Sequence, residues 1–141
     1  MDFSFFSYVN YGAVLVSAVV FFMLGSVWFS TLFGRMWVAE LQRHNVIIKA
    51  PTTAALCTKM VLTFAANLLA AWCIALLVNM TGSTTAASGL QLGVIVVLGC
   101  AITTLASVFV WESRSLKLFL IDIGYPAVGI IASAIILSVW R

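Results

Sequence analysis

The stretch WESRSLKLFLIDIGYP, residues 111–126, gathers Glu112, Arg114, Lys117 and Asp122 in a chain with only seven basic and four acidic residues. Glu112 and Arg114 are two positions apart and would not share a helix face. They suit capping or cross-linking of helix ends better than a catalytic dyad. Asp122 stands inside an apolar run, with Gly124, Tyr125 and Pro126 just after it. Pro126 has no N–H to offer the Asp122 carbonyl four residues back, and its ring crowds that carbonyl. A carboxylate, a freed carbonyl and a phenol therefore meet at one turn. Two kinds of chemistry are open to them: proton or ion handling, and an ion pair or hydrogen bond that holds helices together.

A second polar stripe, Lys59, Thr63 and Asn67, recurs every four residues along another apolar segment. Asp122, Asn67, Lys59, Thr63 and Tyr125 are the candidates for lining a substrate or ion path. Glu112, Arg114 and Lys117 form a polar cluster at a turn. Other chemistries lack their residues. No Ser-His-Asp order, HExxH, P-loop or GxGxxG pattern is present, so no catalytic residue is assigned. Cys57, Cys73 and Cys100 lie in or beside apolar segments without CxxC spacing, and His44 is the lone histidine; neither a metal nor a cofactor is expected. The basic residues are dispersed, with no aromatic-interleaved patch, and nucleic acid is not an expected partner.

The elements that must position these residues follow from composition. The chain has 141 residues, 64% of them hydrophobic and 8% charged, with mean hydropathy +1.18; soluble domains carry about 25% charged residues. So much apolar surface belongs in lipid. Four segments are long enough to cross: about 11–33, 54–78, 89–111 and 116–140, separated by turn-forming stretches at 33–35, 49–53 and 79–89. The fold class is all-α, a polytopic four-transmembrane-helix bundle forming one domain over 1–141. The amino terminus does not read as a cleavable signal, for it lacks Lys and Arg before the apolar run.

Arg35, Arg43, Lys49, Lys59, Arg114 and Lys117 fall on one side of such a bundle, and Arg141 alone on the other. Positive-inside bias then puts the 34–53 and 112–117 loops in the cytoplasm and both termini outside. The five tryptophans lie mostly near span ends, as an aromatic belt would have them. Within the long loop, Trp37, Val38 and Leu41 have the spacing of a short interfacial helix, though an ordered polar loop accommodates them equally well. His44 is either a pH sensor or a solvated loop residue.

Small residues mark helix contacts in lipid. The third span carries Gly89 and Gly93 as GxxxG, continued by Val96, Cys100, Thr103 and Ser107, which predicts one packing seam; Gly25, Ser26 and Ser30 form a weaker one in the first span. Lys59 and Asp122 lie at similar depths in spans that enter from the same side, which predicts an intramembrane pair. The alternative is that Lys59 snorkels to the headgroups while Asp122 bonds Tyr125, Asn67 or the turn.

GSVWFSTLFGRMW at 25–37 and WESRSLKLFLIDIGY at 111–125, with Asn67 between them, resemble the bacterial membrane family DUF1761, a domain of unknown function. The resemblance covers nearly the whole chain. It implies a small polytopic bundle of the bacterial inner membrane and no particular activity. It also implies Pro as the common residue where Thr31 stands and Asn where Asp122 stands, which counts against an obligatory proton relay at 122. Three function classes remain. The first is an oligomeric channel or transporter for a small solute or ion, since four short helices enclose little space and a path would need a homo-oligomer. The second is an accessory protein packed against a membrane-protein partner. The third and weakest is a membrane enzyme using Glu112, Arg114 and Tyr125 on a lipophilic substrate, for which the polar loops that would bind a charged cosubstrate are missing.

Overall fold

A computed structural model describes residues 9–46 and 51–140; Lys49 and Arg141, which enter the charge asymmetry, lie outside them. Helix α1, Tyr11–Val27, starts at Asn10, whose side chain accepts the Ala13 N–H at 3.1 Å, and runs on through a wide π-helical turn, Trp28–Leu32. A Cβ at Gly34 would collide with the Phe29 carbonyl, so only glycine lets the chain pass there into α2, Gly34–Arg43. The 34–53 segment is thus helical in its first half. Helix α3, Thr53–Thr81, is capped by Thr52 and stopped by Gly82 at φ 67°, a conformation glycine adopts without strain. It runs past the expected end at 78 because the glycine that stops it comes only at 82. Helix α4, Ala86–Val96, opens on a Thr85–Ser88 capping box and continues through a second wide turn, Val97–Ile102, into α5, Thr103–Trp111. A tight turn with Ser113 at φ 49° leads to α6, Leu116–Val139, capped by Ser115.

Four helical runs, Tyr11–Leu32, Thr53–Thr81, Ala86–Trp111 and Leu116–Val139, are long and apolar enough to span a membrane. The described residues contain no strand. The fold is an all-α, four-helix membrane bundle.

Helix α6 is the hub and contacts α1, α3 and α4. It meets α4 through buried Gly89 and Gly93: a Cβ on Gly89 would stand 2.7 Å from the Ala134 carbonyl, and one on Gly93 2.9 Å from the Ile131 Cα. Against α1 the principle is a ring seated on a glycine, with Phe21 over Gly129, Trp28 over Gly124 and Tyr125 over Gly25. The tight core lies toward the end where α1 begins and α6 finishes, where Ala13, Val14 and Ala18 of α1 meet Ala71, Ile74, Ala75 and Val78 of α3 and Ala134 and Leu137 of α6.

The small-residue seam stops earlier than its sequence pattern. Gly89, Gly93 and Val97 are buried, but Cys100, Thr103 and Ser107 are exposed. The wide turn at Val97–Ile102 adds a residue, and each residue turns a helix by about 100°, so the stripe that a regular helix would keep inward swings out. Hydroxyls repair the stretched backbone: Thr103 donates to the Gly99 carbonyl at 2.8 Å and Thr104 to the Cys100 carbonyl at 2.7 Å.

Candidate functional site

Two polar assemblies form outside the tight core, the first at the opposite end of the bundle and the second nearer its middle. The first is built where α2 lies against the α5–α6 turn. Ser115 caps α6 by accepting the Leu118 N–H at 3.2 Å, and its hydroxyl donates onward to Glu40 Oε2 at 3.0 Å. Glu40 is 4% exposed. It also takes Arg43 at 3.0 Å and Lys117 at 3.6 Å. His44, one turn after Glu40 and so on the same face, accepts the Ser115 backbone N–H on Nε2 at 3.2 Å. A carboxylate is thus held at the N-terminus of α6, where the helix dipole favours negative charge. The Ser115 hydrogen bond, and behind it the charges of Arg43 and Lys117, hold the Glu40 carboxyl below its ordinary pKa, although burial opposes them.

With the folded pKa lowered, the unfolded chain binds more protons between the two values. Glu40 stabilises the fold fully above the ordinary value of 4.5, and that contribution is lost as pH falls from there through the lowered folded value. Thermal unfolding of wild type and Glu40→Gln in detergent, followed from pH 7 to pH 3, should show the wild type more stable at neutral pH and the two curves converging at the acid end. A gap between them that stays constant with pH would refute the role given to Glu40.

Asp122 belongs to this same assembly. The Trp37 indole N–H donates to Asp122 Oδ1 at 2.9 Å, and Arg114 approaches Oδ2 at 3.4 Å while also binding Glu112 at 2.6 Å. The expected Lys59–Asp122 pair does not form: the only ion pair of Asp122 among the described residues is with Arg114. Asp122 lines a small recess with Leu105, Val108, Phe109, Arg114 and Phe119, on the α5 side of α6. Glu112, Arg114, Lys117 and Asp122 all belong to this first assembly, which with Trp37, Glu40 and Ser115 forms a polar cap over the start of α6.

The second assembly holds the other polar residues of the spans. Asn67 and Tyr125 bond each other, amide to phenol at 3.0 Å and phenol to amide oxygen at 3.2 Å. The Tyr125 ring is held edge-on by Phe21 and Phe29, at centroid distances of 5.3 and 5.7 Å. Above this floor a cleft of about 300 Å³ opens between α1, α3 and α6, lined by Phe22, Gly25, Ser26, Phe29, Lys59, Met60, Thr63 and Tyr125. The structure therefore brings Lys59, Thr63, Tyr125 and Asn67 together, adds Gly25 from α1, and leaves Asp122 out. The Ser26 and Thr63 hydroxyls turn inward to their own helices, donating to the Phe22 and Lys59 carbonyls at 3.3 and 2.8 Å. The cleft wall is thus apolar beneath one ammonium.

Trp37 and Glu40 are the residues that sequence reasoning undervalued. Their signal was present in the spacing Trp37, Glu40, Leu41, His44, which puts an acid on the packed face of α2. Among the described residues no group of acidic, Cys and His side chains could hold a metal ion.

This arrangement defines a small polytopic helical bundle with a capped basic end and a cleft between α1, α3 and α6. The family described as protein of unknown function DUF1761 matches residues 12–138, and the chain belongs to it. No curated protein and no solved structure matches the chain.

Proposed function

We propose that the protein is a membrane-embedded carrier or binding protein whose ligand enters sideways from the lipid through the cleft between α1, α3 and α6. The single observation that carries this reading is the cleft itself: about 300 Å³, framed by helices long and apolar enough to span a bilayer, with Tyr125, bonded to Asn67 behind it, in its floor. That volume lies at the lower end of small-molecule sites. A water-filled path along the bundle axis is less well supported, because Asn67 and Tyr125 satisfy each other across the interior and Asp122 is engaged by Trp37 and Arg114. The Lys and Arg distribution favours a cytoplasmic basic end and outward termini, as in a bacterial inner membrane. A second reading, contact with another copy or another membrane protein, draws on the third span, whose apolar stretch is 11% buried inside the bundle against 33% for the fourth.

The test of the cleft uses a neutral diazirine-bearing alkyl alcohol dissolved in liposomes with the protein. Photolabelling should concentrate on Phe22, Phe29 and Met60. Thr63→Trp fills the cleft without removing an interhelical bond, since Thr63 bonds only its own helix. It should cut that labelling several-fold while labelling of exposed Val61 and Leu62 persists. Equal labelling of both variants at the cleft residues would overturn the reading.

A further inference from the structure

Resting on that reading of the cleft, we propose that its ligand is an anionic phospholipid from the leaflet at the basic end, with its phosphate on the Lys59 ammonium and an acyl chain along Phe22, Phe29 and Met60. Charge complementarity is the first argument. Arg43, Arg114 and Lys117 all reach carboxylates within the protein. Arg35 and Lys59 reach none among the described residues, and of the two only Lys59 lines the cleft; the three described acids, Glu40, Glu112 and Asp122, are held together around the start of α6. A cation this close to hydrocarbon gains from a partner, and the described residues provide no carboxylate for it.

Depth is the second argument. Helix α3 has 29 residues, about 43 Å at 1.5 Å per residue, against a hydrocarbon core of about 30 Å. If the excess is shared, each end overhangs by about 6 Å. Lys59 lies about 9 Å from the α3 start, just inside the hydrocarbon, where its stem can lift the ammonium to the phosphate level. Thr63 is one turn deeper. Phe22 packs on Phe64 at a centroid distance of 5.7 Å, deeper again than Lys59. A headgroup at the lip and a chain along the wall follow this gradient.

The hydroxyls of the cleft are already engaged. Ser26, Thr63 and Tyr125 already spend their donors on Phe22, Lys59 and Asn67. A hydrophilic solute would find few free partners below Lys59, whereas an acyl chain needs none.

The experiment is native mass spectrometry of the full chain in detergent, with equal amounts of phosphatidylglycerol and phosphatidylcholine of matched chains. Wild type should favour phosphatidylglycerol about fivefold, the factor that one lysine–headgroup attraction of about 1 kcal/mol yields. Lys59→Gln should bring the ratio near unity and Lys59→Arg should retain it. Thr63→Trp should deplete both adducts. A wild-type ratio near unity, or a preference that survives Lys59→Gln, overturns the anionic assignment; if Thr63→Trp still depletes both lipids, the cleft reading stands without it. If Thr63→Trp leaves both adducts unchanged, the cleft reading falls with it. Glycerol 3-phosphate, a headgroup without chains, should not compete. Competition by it would assign the site to a soluble phosphate and overturn the lipid.

Discussion

Gly93→Leu should destabilise the bundle by about 3 kcal/mol, the upper end of ordinary overpacking costs. The reason is what a side chain would meet. At Gly93 the nearest obstacle is the Ile131 Cα of α6, 2.9 Å from where a Cβ would stand. Backbone cannot rotate aside as a side-chain end can. Helices in lipid gain little from the hydrophobic effect and depend on close packing, so separating α4 from α6 forfeits the contact over its length. Gly99→Leu is the control. It lies six residues further along the same span, where a Cβ meets nothing within 4 Å, and it should be close to neutral. Equilibrium unfolding in mixed micelles measures both. Equal losses at the two sites would show that the α4–α6 seam does not hold the bundle.

The contrast between those two glycines also marks what was legible in the sequence. Four apolar runs and their breaks were readable because a span has a fixed length and glycine, proline and short polar stretches interrupt it. Gly89 and Gly93 were readable as a contact because small residues at four-residue spacing share a helix face. Cys100 was misplaced for a physical reason: the seam assumed a constant period, and the wide turn at Val97–Ile102 breaks that period without any proline to announce it. Asp122 was misassigned for another. Matched depth made Lys59 its natural partner, but depth says nothing about which way a side chain faces around the axis. Asp122 faces α2 and α5; Lys59 faces the α1 side of α3. The Asn67–Tyr125 bond depends on the same angular information, and each residue could be seen only as wanting a partner.

Asp122→Leu should cost about 1.5–3 kcal/mol, the range for a hydrogen bond to a charged group, and should loosen α2 from α6. The carboxylate is the acceptor for the Trp37 indole at 2.9 Å and one of two anions on Arg114. Leucine leaves the indole N–H without its acceptor at the membrane boundary, while Arg114 keeps Glu112. Asp122→Asn should cost much less, because an amide oxygen can still accept from Trp37. A double-mutant cycle separates partners. Trp37→Phe combined with Asp122→Leu should lose less than the two single changes added together, by about 1 kcal/mol, since either one removes the same bond. Lys59→Met combined with Asp122→Leu should add to within about 0.5 kcal/mol, as residues without contact do. The reverse pattern, with coupling to Lys59 and none to Trp37, would restore the intramembrane pair and refute the cap. The cap also reaches the cleft through one ring: Phe29 packs edge-on against Trp37 at 5.5 Å and against Tyr125 at 5.7 Å. Once Asp122→Leu frees Trp37, Phe29 loses its support on the α2 side, and photolabelling of Phe29 by the neutral alkyl probe should change although Asp122 lines no part of the cleft.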